Sequence, residues 1–422
     1  MDYFTSKRET IAALALWVLM TSFGLAADDG SHLTWKRHVI DDSSRGADGT
    51  RLADVNGDGL PDIATGWEQG GIARVCFHPG YEQVHRLWPA VTVGEAKDVE
   101  DAMFVDLDAD GAMDVVSCCE GGEQALIVHW GSNRKLLESD SWFTTKVKPS
   151  AGICRWMFAI PMDVNGDGQV DVVAGGKGQD SYLGWWELPG NPREVSRWSW
   201  HPLRKVNWLM SLDVVDMNDD GKDDLLFTDR KGPLSGVSWL EHPEPNQVGN
   251  LSAWREHRVG GANREVMFLS RGDLDGDQTD EIVVAVRPYS ILILKRTDSI
   301  GSNGQAHESS ERWVERELAI PEAYGTAKAT AVADFNLDGK MQIAFSTERA
   351  TDPKMAIGVF SPAGEGLQDW TVQSISGRDG VKHDLLVPVD LDGDGDLDLL
   401  TCEEVKNLGV IWYENPKVGS GH

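Results

Sequence analysis

The chain has 422 residues, with 68 acidic against 39 basic side chains and a formal net charge of −29. Such a surface repels nucleic acid and anionic lipid and excludes a basic groove for phosphate backbones. Five cysteines, an odd number, leave at least one thiol unpaired and exclude a disulfide scaffold.

The chain opens on a leader-like segment. Lys7 and Arg8 precede an apolar run from Ile11 to Met20, and the small residues Gly24 and Ala26 suit a peptidase. Residues 1–26 are therefore expected to be a signal peptide, and residues 27–422 a secreted or periplasmic single domain. No segment reaches the roughly 18 consecutive apolar residues of a membrane span. The next segment, LTWKRHVI at 33–40, reads as a lone strand that opens on tryptophan.

From residue 54 onward one nine-residue pattern, Asp-x-Asp/Asn-x-Asp-Gly-x-x-Asp, recurs seven times. Its copies begin at Asp54, Asp106, Asp163, Asp216, Asp273, Asp334 and Asp390, between 52 and 61 residues apart. So regular a period marks radially repeated units rather than independent domains. Each copy sits between short β-branched runs, and each period adds a third run such as GVSWL and a fourth that opens on tryptophan. Four strands per repeat make a propeller blade.

Tryptophan gives the same number. Trp35, Trp88, Trp142, Trp198, Trp254, Trp313 and Trp370 each precede an aliphatic residue by five positions. The last repeat ends after its third run, GVIWYENP, without a tryptophan strand, and LTWKRHVI is the strand it lacks. The expected fold is all-β: a seven-bladed β-propeller of four-stranded blades, its ring closed by an N-terminal strand in the last blade.

The loops carry calcium-type ligands. Calcium takes six to eight hard oxygens, which positions 1, 3 and 5, the carbonyl of position 7 and a carboxylate at position 9 supply when position 6 turns sharply. In the first loop these are Asp54, Asn56, Asp58, Leu60 and Asp62, and in the second Asp106, Asp108, Asp110, Ala112 and Asp114. The third has Asp163, Asn165, Asp167, Gln169 and Asp171; the fourth has Asp216, Asn218, Asp220, Lys222 and Asp224. The last has Asp390, Asp392, Asp394, Asp396 and Asp398. Two copies are degenerate. Asp273, Asp275, Asp277, Thr279 and Glu281 keep the acids but place Gln278 where glycine belongs, and the copy from Asp334 ends in Gln342. Calcium (Ca2+) is therefore expected in about five to six loops, as a structural ion.

These residues resemble the FG-GAP/VCBS repeat family, whose blades, as in integrin α chains, carry this loop between their first two strands. The resemblance covers nearly the whole mature chain and implies a calcium-binding propeller that binds a partner. Trp-x-x-His and Gly-Val-x-Trp-x-Glu-x-Pro phrases are also similar to the propeller of aldos-2-ulose dehydratases, whose metal-binding cupin domain has no room here.

Four residues past each loop stand Gly66, Cys118, Gly175, Thr228, Ala285, Ser346 and Cys402, all small, as close packing between blades requires. His38, His201 and His257 recur at one place in the tryptophan strand and read as packing or hydrogen-bonding residues, not as metal ligands.

Loops of a four-stranded blade alternate between its ends, so a ligand is expected opposite the calcium loops. Residues entering each innermost strand crowd the axis there: Asp48 and Arg51, Glu100 and Asp101, Arg155 and Trp156, Asn207 and Trp208, Arg264 and Glu265, Lys328, and Lys382, His383 and Asp384. Trp67, Trp156 and Trp208 are the tryptophans without a repeat role. Aromatic platforms beside Arg, Asp and Asn suit a sugar, though large residues can also simply plug a channel. Two classes of function follow. One is a binding or adhesion module for a carbohydrate or protein ligand, acting as a monomer. The other is a carbohydrate-active lyase or dehydratase, with His383 as base and Arg155, Arg264 or Lys382 holding the anion. Neither G-x-S-x-G, H-E-x-x-H nor a phosphate loop argues for other chemistry.

Overall fold

The computed structural model describes residues 34–297, 312–364 and 366–416. The expected signal peptide lies outside the described residues. The described residues of the unit that begins at Thr34 form an all-β propeller, and among them stand 26 strands with only short 3-10 turns between them. Among the described residues no helix is long and apolar enough to cross a membrane.

Blades of four antiparallel strands dominate. Ala47–Ala53, Asp62–Trp67, Ile72–Cys76 and Ala90–Glu95 form one, and Val99–Val105, Asp114–Cys119, Leu126–Trp130 and Phe143–Lys146 the next. Val266–Gly272, Glu281–Val286, Ser290–Thr297 and Arg312–Ala319 form another, followed by Thr326–Ala333, Gln342–Glu348, Ile357–Pro362 and Trp370–Ser374. In the last, His383–Val389, Asp398–Glu403 and Gly409–Glu414 are joined on the outside by Lys36–Asp41. Pairs such as His38 with Trp412 and Lys36 with Glu414 set that register, so the N-terminal strand closes the ring as expected.

The blades number six, not the expected seven. The third and fourth repeats share one six-stranded sheet of Arg155–Met162, Asp171–Glu187, Ser199–Val215, Asp224–Asp229, Gly236–Glu241 and Arg255–Gly260. Two strands cause the fusion, each 17 residues long. Asp171–Glu187 turns on itself, its first part pairing with Arg155–Met162 and its second with Ser199–Val215. Ser199–Val215 runs on from the outer edge of one repeat to the axis of the next, pairing there with Asp224–Asp229. The stretch Leu203–Trp208 between these two repeats has no glycine, whereas Gly46, Gly152, Gly261 and Gly377 stand in the corresponding connections of four others. No residue of this stretch has a positive φ, and the strand stays extended through it.

Packing between repeats follows from the small residues. A Cβ on Gly66 would stand 2.8 Å from Val99 Cγ2, and one on Gly175 2.6 Å from Leu209 Cδ2, both on the neighbouring repeat's first strand. Where the residue is larger it bonds across: Thr228 Oγ1 donates to the Met267 carbonyl, and Ser346 Oγ to those of His383 and Asp384. All five cysteines are free and buried, and burial pushes their thiols up, to about 12 at Cys119 and Cys154. They are packing residues.

Candidate functional site

Each nonapeptide loop joins the first two strands of its repeat. In all seven, an oxygen of the position 1 aspartate accepts the amide of position 6, as Asp54 Oδ2 does from Gly59 at 2.9 Å. Position 6 has a positive φ throughout, from 71° at Gln278 to 96° at Gly395, which is why glycine stands there in six copies. Position 9 opens the second strand and is buried. One of its oxygens accepts the amide of position 2 in every loop.

The complete loops and the degenerate ones part at the other position 9 oxygen. In the five complete loops it accepts the amide just past the third strand, from His78, Gly131, Leu188, His242 or Asn415. Burial, with neighbouring loop carboxylates adding to it, raises Asp62 and Asp224 to about 6 and Asp114, Asp171 and Asp398 to about 7. A buried acid held this high is short of positive charge, which a cation would supply. Oxygens of Asp106, Asp108 and Asp114 already lie within 4.8 Å of one another. The residues present fit calcium.

In the degenerate loops the chain supplies that charge or donor itself. Lys295 Nζ lies 2.7 Å from Asp277 Oδ2 and 3.1 Å from Glu281 Oε1, and also contacts Asp275. In the loop from Asp334, Gln342 Nε2 donates to Asn336 Oδ1 at 3.0 Å and to the Lys340 carbonyl at 2.6 Å. Those are the oxygens of positions 3 and 7.

At the opposite end of the first two strands lies a cavity of about 460 Å3. Its wall follows the repeat. Fourteen residues after the start of each loop stand Glu68, Glu120, Lys177, Arg230, Arg287, Glu348 and Glu404, and all seven line it. Asp48, Glu100, Met157, Met210 and Lys328, six residues before a loop, line it as well. Ion pairs link these groups. Lys177 holds Glu100 at 3.1 Å and also Glu120, Arg230 holds Glu265 at 2.6 Å, and Arg287 bridges Glu265 and Glu348. Lys328 Nζ sits 2.5 Å from Asp384, and Lys382 Nζ 3.6 Å from Asp384 and 3.9 Å from Asp48, besides contacting Glu404.

Burial and the nearby Asp384 hold Asp48 well above the usual carboxylate range. Burial acts the same way on Asp384, but Lys328 and Lys382 outweigh it and hold that carboxyl low. Burial, with Glu100, raises Glu120 to about 7. Trp208 gathers three cations on its ring: Arg230 Cζ at 4.2 Å, Lys231 Nζ at 4.5 Å and Lys177 Nζ at 4.8 Å from the centroid.

Of the residues expected at this face, Asp48, Glu100, Trp208, Glu265, Lys328 and Lys382 line the cavity, and Asp384 lies beneath it through its lysines. The others do not meet there. Trp67 is fully buried with Ile40, Trp88 and Trp412, and Trp156 packs against Trp186 and Trp200. These two indoles fill blade interiors, because the residue before or after each, not the tryptophan itself, faces the axis. His383 is fully buried toward Tyr413, neither ring nitrogen has a hydrogen-bond partner among the described residues, and burial drops its pKa to about 3. Arg264 pairs with Glu317 at 2.7 Å, Asp101 accepts from Nε and Nη2 of Arg51, and Arg155 and Asn207 are absent from the cavity wall. Counting on from the loops would have found the seven wall residues, a register masked by their varied identity.

No curated protein matches the chain. The family model of the FG-GAP-like repeat matches residues 163–227, which span the third loop, its following strands and the fourth loop with its second strand. The chain is thus a β-propeller that contains an FG-GAP-like repeat.

Proposed function

We propose that this is an exported, calcium-binding propeller that takes a small acidic saccharide in the cavity opposite its calcium loops. The observation that carries the reading is the cation cluster on Trp208. An indole that gathers Arg230, Lys231 and Lys177 places several donors where one carboxylate or sulfate can meet them, and an aromatic face is also what a sugar's C–H groups stack on. Calcium in the loops keeps the first-to-second turns fixed, so the far ends of the same strands stay in register. Export rests on the leader-like first 26 residues.

A glycan array carrying uronate-containing, sulfated and neutral saccharides tests this. Acidic glycans are expected to bind, and Trp208→Ala to weaken the strongest hit by on the order of 1–3 kcal/mol, the worth of an aromatic anchor in other sites. Absence of any hit, or equal binding by the Trp208→Ala variant, overturns the assignment. A proton-abstracting lyase is the second reading, and Lys328 favours it over the expected His383. Its ammonium is buried, burial lowers its pKa, and it lines the cavity beside Asp384. Turnover of an acidic glycan that disappears in Lys328→Met while binding persists would establish it.

A further inference from the structure

Another set of metal-ligating side chains stands at the seam of the ring. His38 comes from the closing strand Lys36–Asp41, Glu414 from the last strand Gly409–Glu414, and His85 from the connection that follows Ile72–Cys76. His38 Nε2 lies 2.6 Å and His85 Nε2 3.6 Å from the same oxygen, Glu414 Oε2. All three ligand atoms fall within 4.8 Å of one another, and the two imidazole centroids are 4.6 Å apart. A tetrahedral ion about 2.0–2.1 Å from each ligand needs ligand atoms roughly 3.3 Å apart. The two separations bracket that value.

The fold provides its own comparison. His201 stacks on Trp185 and bonds Glu187 at 2.8 Å, and His257 stacks on Trp239 and bonds Glu241 at 2.8 Å, as His38 does with Trp412 and Glu414. Those two trios are complete as packing motifs. Three residues before the strand-opening tryptophan of the following repeat, where His38 meets His85, the repeats that follow His201 and His257 have Leu251 and Ser310. A second imidazole is thus added only where both chain ends meet the first repeat.

We propose that His38, His85 and Glu414 bind a divalent transition cation, zinc in first place, which ties the closing strand, the last strand and the first repeat together. Two imidazole nitrogens and one carboxylate select zinc over calcium, which prefers oxygen alone. The ion replaces the proton shared between His38 Nε2 and Glu414 Oε2. Asp392 Oδ2 lies 3.9 Å from His85 Nε2, but its carboxylate belongs to the last calcium loop, so water is the fourth ligand. Lys36 Nζ, 3.5 Å from Glu414 Oε2 on a side chain 71% exposed, is free to swing away. This site is independent of the funnel reading.

The test is a zinc titration of the full chain in saturating calcium, which keeps the nonapeptide loops filled, with binding heat and melting temperature as readouts. One zinc equivalent and a raised melting temperature are expected. His85→Ala changes a half-exposed side chain on a connection and is expected to weaken zinc by at least about 10-fold, since even outer partners of a metal site are worth that much. Glu414→Gln, nearly isosteric and still able to bond His38, is expected to do the same. His201→Ala, which breaks the same stack elsewhere, is expected to leave zinc binding intact. No zinc uptake by the unmodified chain, or equal uptake in His85→Ala and Glu414→Gln, overturns the proposal.

Discussion

Gln342 differs from the aspartates at its equivalent positions by one methylene and by an amide nitrogen in place of a carboxylate oxygen, and the nitrogen reverses the loop's chemistry. A carboxylate oxygen at position 9 accepts; the Gln342 amide nitrogen donates, and it donates to the ligand oxygens of positions 3 and 7. Lys295 does the same in the loop from Asp273 with a full positive charge across positions 3, 5 and 9. Gln342→Asp and Lys295→Met should therefore each raise the calcium stoichiometry by about one, because each removes a donor from a set of oxygens that otherwise matches the complete loops. Equilibrium dialysis with elemental analysis measures this, and a stoichiometry unchanged in both variants would show that the loops do not hold calcium through these oxygens. The ligand pattern was legible because it repeats at fixed spacing. Lys295, a third-strand residue, was not, since no other repeat has a cation there.

Strands and loops are fastened to neighbouring repeats by side chains of different kinds doing one job. His78 Nε2 meets the Leu391 carbonyl at 2.9 Å, and His242 Nε2 that of Val164 at 2.9 Å. Asn415 Nδ2 meets that of Phe335 at 2.7 Å, and Arg296 Nη1 that of Met217 at 2.6 Å. Each carbonyl is position 2 of the preceding repeat's loop. Because histidine, asparagine and arginine share the role, no sequence period reveals it, whereas the small residues at Gly66 and Gly175 did reveal the close approach they permit. His242→Ala should cost about 1–3 kcal/mol, the penalty of a buried carbonyl left unpaired, read from urea unfolding. Removing residues 34–41 should cost far more, since it bares the edge of Gly409–Glu414 and takes Trp35 and Ile40 from the core. A synthetic peptide of residues 34–41 should restore part of the loss in trans. A truncated chain as stable as the full one would show that closure does not depend on this strand.

At the scale of the whole molecule, the propeller, its closure and the separation of loop end from cavity end follow from periodicity, whereas the fusion of two repeats into one sheet, through a connection that stays extended, breaks that periodicity. Residue identity at the cavity was harder to foresee, because a strand alternates faces and a shift of one residue sends Trp67 inward and Glu68 to the axis. The net charge of −29 now has a defined cost. Five position 9 acids are raised to about 6 or 7 by burial when no cation is present, against roughly 3.9 for an unfolded aspartate. Between those values the folded chain keeps protons that the unfolded chain has released, so the cation-free fold loses stability as pH rises from about 4 to about 7. Bound calcium takes the place of those protons and removes the loss. The gain in melting temperature on adding calcium should therefore be small near pH 5, grow through pH 7 and level off above it. Melting curves with calcium and with EDTA at pH 5 and pH 8 measure both gains; equal gains would mean that the buried carboxylates are not where calcium acts.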